Sequence, residues 1–321
     1  MAEYTESWQK LEEVIGARPV LSGTADEMRV AFAGLLGMLA TQYPPLTDDV
    51  TVENGSLDNG PSYRVYRPRS LPSGAPLAVY FHGGGLVLGD LDSEDRLCRT
   101  LSSGAGVVLV SIGYRLAPEH KAPTQVDDSL KGLEWTEKNA STLTGSASSP
   151  LLVIGISAGG GLALSVTRRV VLGKSSVPAT RLSGLVLLSP VSLHPDNVPA
   201  ALKGQYTAYT DLATSTAVVD KAAMHTFFEA SGVSSADPDA FAALDLPTMG
   251  FPPTYVAVCE NDPVRDDGNV VDSILESGGI SMQRKVYRGL PHCFWIFPTL
   301  PETAVFEQDT VAAIRSLSSK Q

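Results

Sequence analysis

The sequence predicts an α/β protein: a mostly parallel central sheet flanked by helices, with a helical cap over it. Three observations carry this. Short apolar runs alternate with longer amphipathic stretches from about residue 48 onward. The first 45 residues are helical in period and carry no strand pattern. The alternation then stops over residues 194–250, where small, Pro-bearing connections replace it. Apolar strands alternating with helices imply a parallel sheet covered on both faces.

The elements follow in order. Trp8, Leu11, Val14 and Ile15 share one helical face, and Met28, Phe32, Leu35, Leu36 and Leu39 share another. Pro44-Pro45 ends that pattern. Val50 and Val52, then Tyr63, Val65 and Tyr66, read as paired strands with a turn at Asn59-Gly60. Six apolar runs follow as strands: 77–81, 107–112, 151–156, 185–188, 255–258 and 283–287. Helical patterns lie at 93–101, 125–139, 162–172, 264–275 and 302–317. The 194–250 interval holds only helical fragments such as 221–230. An insertion of this kind sits above the carboxyl ends of a parallel sheet, where ligands bind. It is expected to form a lid with residues 1–45, over a core made of 46–193 and 251–321.

Composition narrows the function. A chain of 321 residues hides roughly three-quarters of its surface on folding, so a large core is available. The hydrophobic fraction is 43% and the charged fraction 18%, a globular balance. The formal net charge of −11 argues against nucleic acid or an anionic membrane as partner, since both need a basic face. Cys98, Cys259 and Cys293 are an odd number in a long chain and do not read as a disulfide framework. There is no CxxC and no HExxH, so no metal is expected. No basic leader and no apolar run of 18 residues appear, so the expected location is cytoplasmic.

The chemistry begins at Gly155-Ile156-Ser157-Ala158-Gly159, a GxSxG directly after an apolar run and directly before a helical stretch. That context is what a nucleophile elbow needs: a sharp strand-to-helix turn lifts the serine hydroxyl above the sheet. His82-Gly83-Gly84-Gly85 ends another apolar run. Three glycines let backbone N–H groups approach a developing oxyanion, and the N–H of Ala158 would add one more. A serine needs a base. Of the five histidines, His292 lies just past the last strand, where a loop would return over Ser157. His82 beside the glycines reads as ordering its loop. The acid should follow the strand at 255–258, and both Glu260 and Asp262 are there. Asp266 and Asp267 fall in a first helical turn and suit the helix dipole.

Four segments together resemble the hormone-sensitive-lipase type of α/β-hydrolase, the HGGG carboxylesterases, in the manner of fungal esterases of secondary metabolism. They are His82-Gly83-Gly84-Gly85, Tyr114-Arg115-Leu116-Ala117-Pro118-Glu119, Ser157-Ala158-Gly159-Gly160 and Asp262-Pro263-Val264-Arg265-Asp266. The likeness runs from about Leu77 to Trp295. It implies Ser157 as nucleophile, Asp262 as acid and His292 as base. It also implies Gly83, Gly84, Gly85 and Ala158 as the oxyanion hole, and a structural role for 114–119. Two positions depart from the family pattern: Ile156 stands where an aspartate usually precedes the nucleophile, and Gly113 where one often precedes Tyr-Arg.

The resulting expectation is a serine carboxylesterase that needs no cofactor. It would hydrolyse short-chain, acetyl-like esters of small apolar or aromatic molecules, a polyketide among them. Phe227, Phe228, Phe294 and Trp295 are candidates for lining the pocket or for core. The alternatives are an acyltransferase, thioesterase or cyclase using the same triad, and a non-catalytic ligand-binding relative. A homodimer through exposed helices is a further expectation.

Overall fold

The computed structural model describes residues 3–214 and 216–319. Two helices open the chain. In α1 (Glu6–Ile15) the Thr5 hydroxyl accepts from the Trp8 N–H, and Gly16, at φ 82°, closes the last turn. In α2 (Ala25–Ala40) Thr24 and Glu27 form a reciprocal capping box. A hairpin follows, β1 (Val50–Ser56) and β2 (Ser62–Pro68), with Asn59 at φ 50° in the turn.

The alternating part runs β3 (Leu77–Phe81), α3 (Asp95–Ala105), β4 (Val108–Gly113), α4 (Thr124–Lys138), α5 (Ala140–Thr144), β5 (Leu151–Ile156), α6 (Ala158–Val171) and β6 (Leu182–Leu188). Then come α7 (Ala208–Asp211), α8 (Lys221–Ser231), β7 (Thr254–Asn261), α9 (Arg265–Ser277), β8 (Met282–Pro291) and α10 (Pro301–Ser318). The strands form one sheet in the order β1-β2-β4-β3-β5-β6-β7-β8. Only the β1–β2 and β2–β4 pairs are antiparallel. The predicted fold class is therefore the observed one.

The central strands β3 and β5 are apolar throughout, and β4 and β6 nearly so, because both faces of the sheet are buried. Tyr80, Ile154, Val186 and Ala257 join the core beneath α3 and α10. Val79, Val153, Leu187 and Val256 join the opposite core beneath α4, α6 and α9. Several boundaries differ from expectation, and two of them bear on the site. Helix α6 begins at Ala158, before the expected 162, because Gly159, Gly160 and Gly161 hide the helical period. Strand β8 extends to Pro291, which brings the chain to His292 in extended form.

Among the described residues, 194–250 holds no named strand. One isolated bridge, Val20 to Val218, ties the insertion to the N-terminal segment. The Tyr4 hydroxyl accepts from the Ala217 N–H at 3.0 Å, so the two segments pack together. Arg29 of α2 reaches the body of the protein, donating to the Val87 and Ala117 carbonyls and to Glu119. No helix is long and apolar enough to cross a membrane among the described residues.

Asp266 and Asp267 do more than face a helix dipole. Both are buried. Asp266 accepts the Thr207 and Ala208 N–H groups, each at 2.8 Å. Asp267 accepts the N–H groups of Ser192 and Leu193 and the Tyr206 hydroxyl. The two carboxyls thus fasten both the base of the insertion and a point within it to α9.

Burial pushes the Asp267 carboxyl up to about 7, against about 3.9 in an unfolded chain. Between those values folding takes up a proton. The stabilising contribution of this group is then fully present below about 4 and falls as pH rises to about 7. Asp267→Asn keeps an oxygen for Ser192 and Leu193 and removes the titration. The difference in Tm between wild type and Asp267→Asn should therefore shift in favour of the variant from pH 4 to 7. Parallel Tm curves across that range would contradict this.

Candidate active site

Ser157 is the single residue between β5 and α6, at φ 53° and ψ −121°. A serine held at positive φ is strained, and its surroundings must impose it. Its N–H donates to the Leu188 carbonyl at 2.8 Å, and its own carbonyl accepts from Gly161 and Val191. The flanking glycines follow from crowding. A Cβ on Gly155 would overlap the Gly159 carbonyl, and one on Gly159 would overlap the carbonyl oxygens of Phe81 and His82. The GxSxG pattern is thus a record of three backbones meeting.

The turn aims Ser157 at His292. The Oγ lies 2.8 Å from His292 Nε2, and Nδ1 lies 2.7 Å from Asp262 Oδ2. A carboxylate oxygen accepts, so Nδ1 carries the hydrogen and Nε2 presents its lone pair to the serine. The other Asp262 oxygen accepts the Val264 N–H at 2.9 Å, at the entry to α9. All three side chains are buried. The alternative carboxylate, Glu260, projects outward and accepts the Gly289 N–H at 2.8 Å. Of the two candidates, Asp262 is the one that reaches the histidine: β7 ends at Asn261 after a register shift between Cys259 and Asn261, and Asp262 follows in the turn into α9.

The glycine loop is held from three sides. Tyr114 donates its hydroxyl to the His82 carbonyl at 2.8 Å and stacks on the His82 ring. His82 Nδ1 lies 2.7 Å from the Gly83 carbonyl, and burial pushes this imidazole down to about 4. His82 is therefore a neutral donor that orders the loop. The Gly83 N–H donates to Glu94 at 3.0 Å, and the Tyr80 hydroxyl donates to the same carboxyl. Enclosure pushes Glu94 up to about 7. Among the described residues no hydrogen bond engages the N–H of Gly84 or Gly85. Ala158 opens α6, where backbone N–H groups lack intrahelical partners. Gly83 thus differs from its neighbours: its N–H is already occupied.

The two departures from the family pattern have local explanations. Ile156 is buried, with its side chain beneath Gly83. Gly113 pairs with Ser62 across β2–β4, and a side chain there would press on Ser62 and Leu91. Tyr114-Arg115 is structural in this chain, since Arg115 forms a two-pronged ion pair with the buried Asp128. Sequence reasoning missed Glu94. It lies in the acidic run Asp92-Ser93-Glu94-Asp95, which reads as an exposed helix start.

Two cavities flank the site. A slot of about 40 Å³ is lined by Gly85, Ala158, Leu162, Val191, Phe227 and Phe228, among others. A cavity of about 680 Å³ lies between α2, residues 87–97 and Trp295. The four candidate aromatics divide accordingly. Phe227 and Phe228 face the slot and Trp295 the large cavity, while Phe294 is core, packed on Tyr287 and Phe306. Among the described residues no group of three or more His, Cys, Asp or Glu could hold a metal ion.

A family model described as alpha/beta hydrolase fold matches residues 78–296. The chain belongs to this α/β-hydrolase family. It is 37% identical over 313 residues to the versiconal hemiacetal acetate esterase of Dothistroma septosporum, covering 97% of this chain and 94% of that one. It is 34% identical over 294 residues to the enzyme of the same name from Aspergillus parasiticus, covering 91% and 90%. Among solved structures, a Pyrobaculum calidifontis esterase superposes with a TM-score of 0.82 at 26% identity, covering 99% of this chain and 100% of that one. The chain is a hydrolase of ester bonds, and the resemblance drawn from its motifs is borne out.

The crowding at the elbow of this α/β-hydrolase can be tested directly. In Gly159→Ala the added methyl group meets two backbone carbonyls and no flexible side chain. The variant should lose at least about 2 kcal/mol in urea unfolding, at the upper end of overpacking costs, and should lose esterase activity with it. A fully active, fully stable Gly159→Ala protein would contradict the described approach of α6 to the β3 loop.

Proposed function

We propose that this hydrolase removes short, acetyl-sized acyl groups from small apolar or aromatic alcohols, using Ser157 as nucleophile, His292 as base and Asp262 as its orienting acid. The observation that carries the proposal is the Asp262–His292–Ser157 hydrogen-bonded chain beside a slot of only about 40 Å³. Fungal relatives named as acetate esterases support the choice of acyl group. A secondary metabolite such as a polyketide is the proposed natural ester.

In the first half-reaction the Ser157 oxygen attacks the ester carbonyl while His292 Nε2 takes the hydroxyl proton. The imidazolium that forms is stabilised by Asp262 through Nδ1. The carbonyl oxygen becomes an oxyanion and receives the N–H groups of Gly84, Gly85 and Ala158. Gly83 supports this hole and does not donate into it, because its N–H is bound to Glu94. The intermediate collapses, His292 returns the proton to the departing alcohol, and the acyl group stays on Ser157. Water repeats the sequence and releases the acid. Residues 1–45 and 194–250 act as the cap. Phe227 of α8 lies against Gly85 and closes the slot from above.

Cleavage of p-nitrophenyl acetate should exceed that of the octanoate, and Ser157→Ala should lose at least about 10³-fold in kcat, as expected for a triad. Equal rates for wild type and Ser157→Ala would remove the nucleophile assignment. Phe227→Ala enlarges the slot. It should raise the ratio of kcat/KM for butyrate over acetate by about tenfold, the usual worth of one or two methylenes in an apolar pocket. An unchanged ratio would place the acyl group elsewhere.

A further inference from the structure

We propose that Glu94 is the positioning residue of the oxyanion loop, holding the Gly83 N–H so that the next peptide aims the Gly84 N–H at the reacting oxygen. The inference rests on the proposed role of Gly84, Gly85 and Ala158. It starts from the two peptide planes on either side of Gly83. The N–H of Gly83 is bound to Glu94 Oε1 at 3.0 Å, and its carbonyl lies 2.7 Å from His82 Nδ1. Both planes are therefore fixed. A trans peptide directs its N–H opposite to its C=O, so the Gly84 N–H points away from His82. It has no acceptor among the described residues.

The anchor is rigid because Glu94 is itself held. Its second oxygen accepts the Tyr80 hydroxyl, and Tyr80 is a fully buried residue of β3. The loop is thus tied to the central sheet through one carboxyl. The position before the nucleophile cannot do this, because Ile156 carries no polar atom in its side chain. A Cβ built on Gly83 would lie 3.3 Å from Glu94 Oε1 and 3.4 Å from Ile156 Cγ2. Gly83 is therefore sandwiched between an apolar floor and a carboxyl clamp. Glu94 is also not core. It is half-buried and borders the cavity of about 680 Å³. An apolar residue there would make an equally good wall, but it would leave the Gly83 N–H unpaired, and the His82–Gly83 peptide would then be held at its carbonyl end alone, by Tyr114.

The test compares Glu94→Leu, Glu94→Asp and Glu94→Gln with wild type and Ser157→Ala on p-nitrophenyl acetate. It also measures inhibition by a trifluoromethyl ketone, whose adduct on Ser157 carries a tetrahedral oxyanion. Removing one oxyanion donor costs on the order of 10²–10³ in rate, so misaiming one should cost about 10–10². In Glu94→Leu, kcat should fall by that factor with KM changed less than about threefold. The inhibition constant should rise in parallel with the loss in kcat. Glu94→Gln retains an acceptor for Gly83 and should recover to within about fivefold of wild type. Glu94→Asp is shorter by one methylene and cannot span Tyr80 and Gly83, so it should behave like Leu even if Glu94→Leu does not fold.

A folded Glu94→Leu or Glu94→Asp with unchanged kcat and unchanged ketone affinity overturns the proposal. So does a loss that appears only in Tm, or a loss in which Gln is no better than Leu or Asp. An active Ser157→Ala would instead overturn the esterase mechanism itself. With Ser157→Ala inactive, a normal Glu94 variant defeats only the positioning role.

Discussion

The first turn of α6 lies against the end of β3 so closely that only hydrogen fits at Gly159. Much of the site depends on this contact. It brings the Ser157 elbow against the carbonyls of Phe81 and His82, and so sets the glycine loop beside the serine hydroxyl. It requires Gly155 on the strand side and forces Ser157 to φ 53°. The strain is maintained because the Ser157 backbone is bound on both sides, by Leu188 before it and by Gly161 and Val191 after it. Parallel pairing of β3, β5 and β6 aligns the three chain segments that make these bonds. A fold whose sheet is buried on both faces can hold such a turn, because every flanking position is already packed.

What was legible in the sequence was the part encoded locally. GxSxG between an apolar run and a helix pattern requires only about ten residues to be recognised. His292 was legible because the chain has few histidines and one of them follows the last strand. Glu260 and Asp262 could not be separated by pattern alone. The irregular end of β7 separates them: past a register shift between Cys259 and Asn261 the strand stops, leaving Glu260 outward on its rim and Asp262 inward in the turn that follows. Glu94, Asp266 and Asp267 were invisible for a common reason. Each is an acidic residue at or near the start of a helix, where exposure and a favourable dipole explain it fully. Their partners are backbone N–H groups 11 to 75 residues away, and no local period reports such contacts. Arg29 is similar: in α2 it reads as a surface cation, yet it grips carbonyls 58 and 88 residues on.

These carboxyls share one physical use. A buried backbone N–H outside regular structure needs an acceptor. Water cannot serve where a pocket must stay closed. A carboxyl offers two oxygens and several lone pairs, so one side chain can fasten two or three segments. Asp267 fastens Ser192, Leu193 and Tyr206, and Asp266 fastens Thr207 and Ala208. The cost is desolvation, and it registers as upward pressure on the carboxyls of Asp267 and Glu94. The excess of acidic over basic residues is therefore partly structural: some of the acids lie inside, holding loops, and are not simply surface charge.

The two cavities place opposite demands on the segments around them. The slot of about 40 Å³ is tight because Phe227 from the insertion lies directly on Gly85, at φ 63°. The larger cavity is open between α2 and the 87–97 segment, where Arg29 ties helix to loop by hydrogen bonds. An interior packed at Gly85 resists deformation. A polar tether such as that of Arg29 can be re-formed with water when the helix shifts. In the proposed reaction the acyl side is then the rigid side. This arrangement has a further consequence. The residue that limits acyl length also presses on a loop that stabilises the oxyanion, so size selection and rate act on the same glycine. A longer acyl group that displaces Phe227 would also relax Gly85. It would be disfavoured twice, once by exclusion and once by a poorer oxyanion hole.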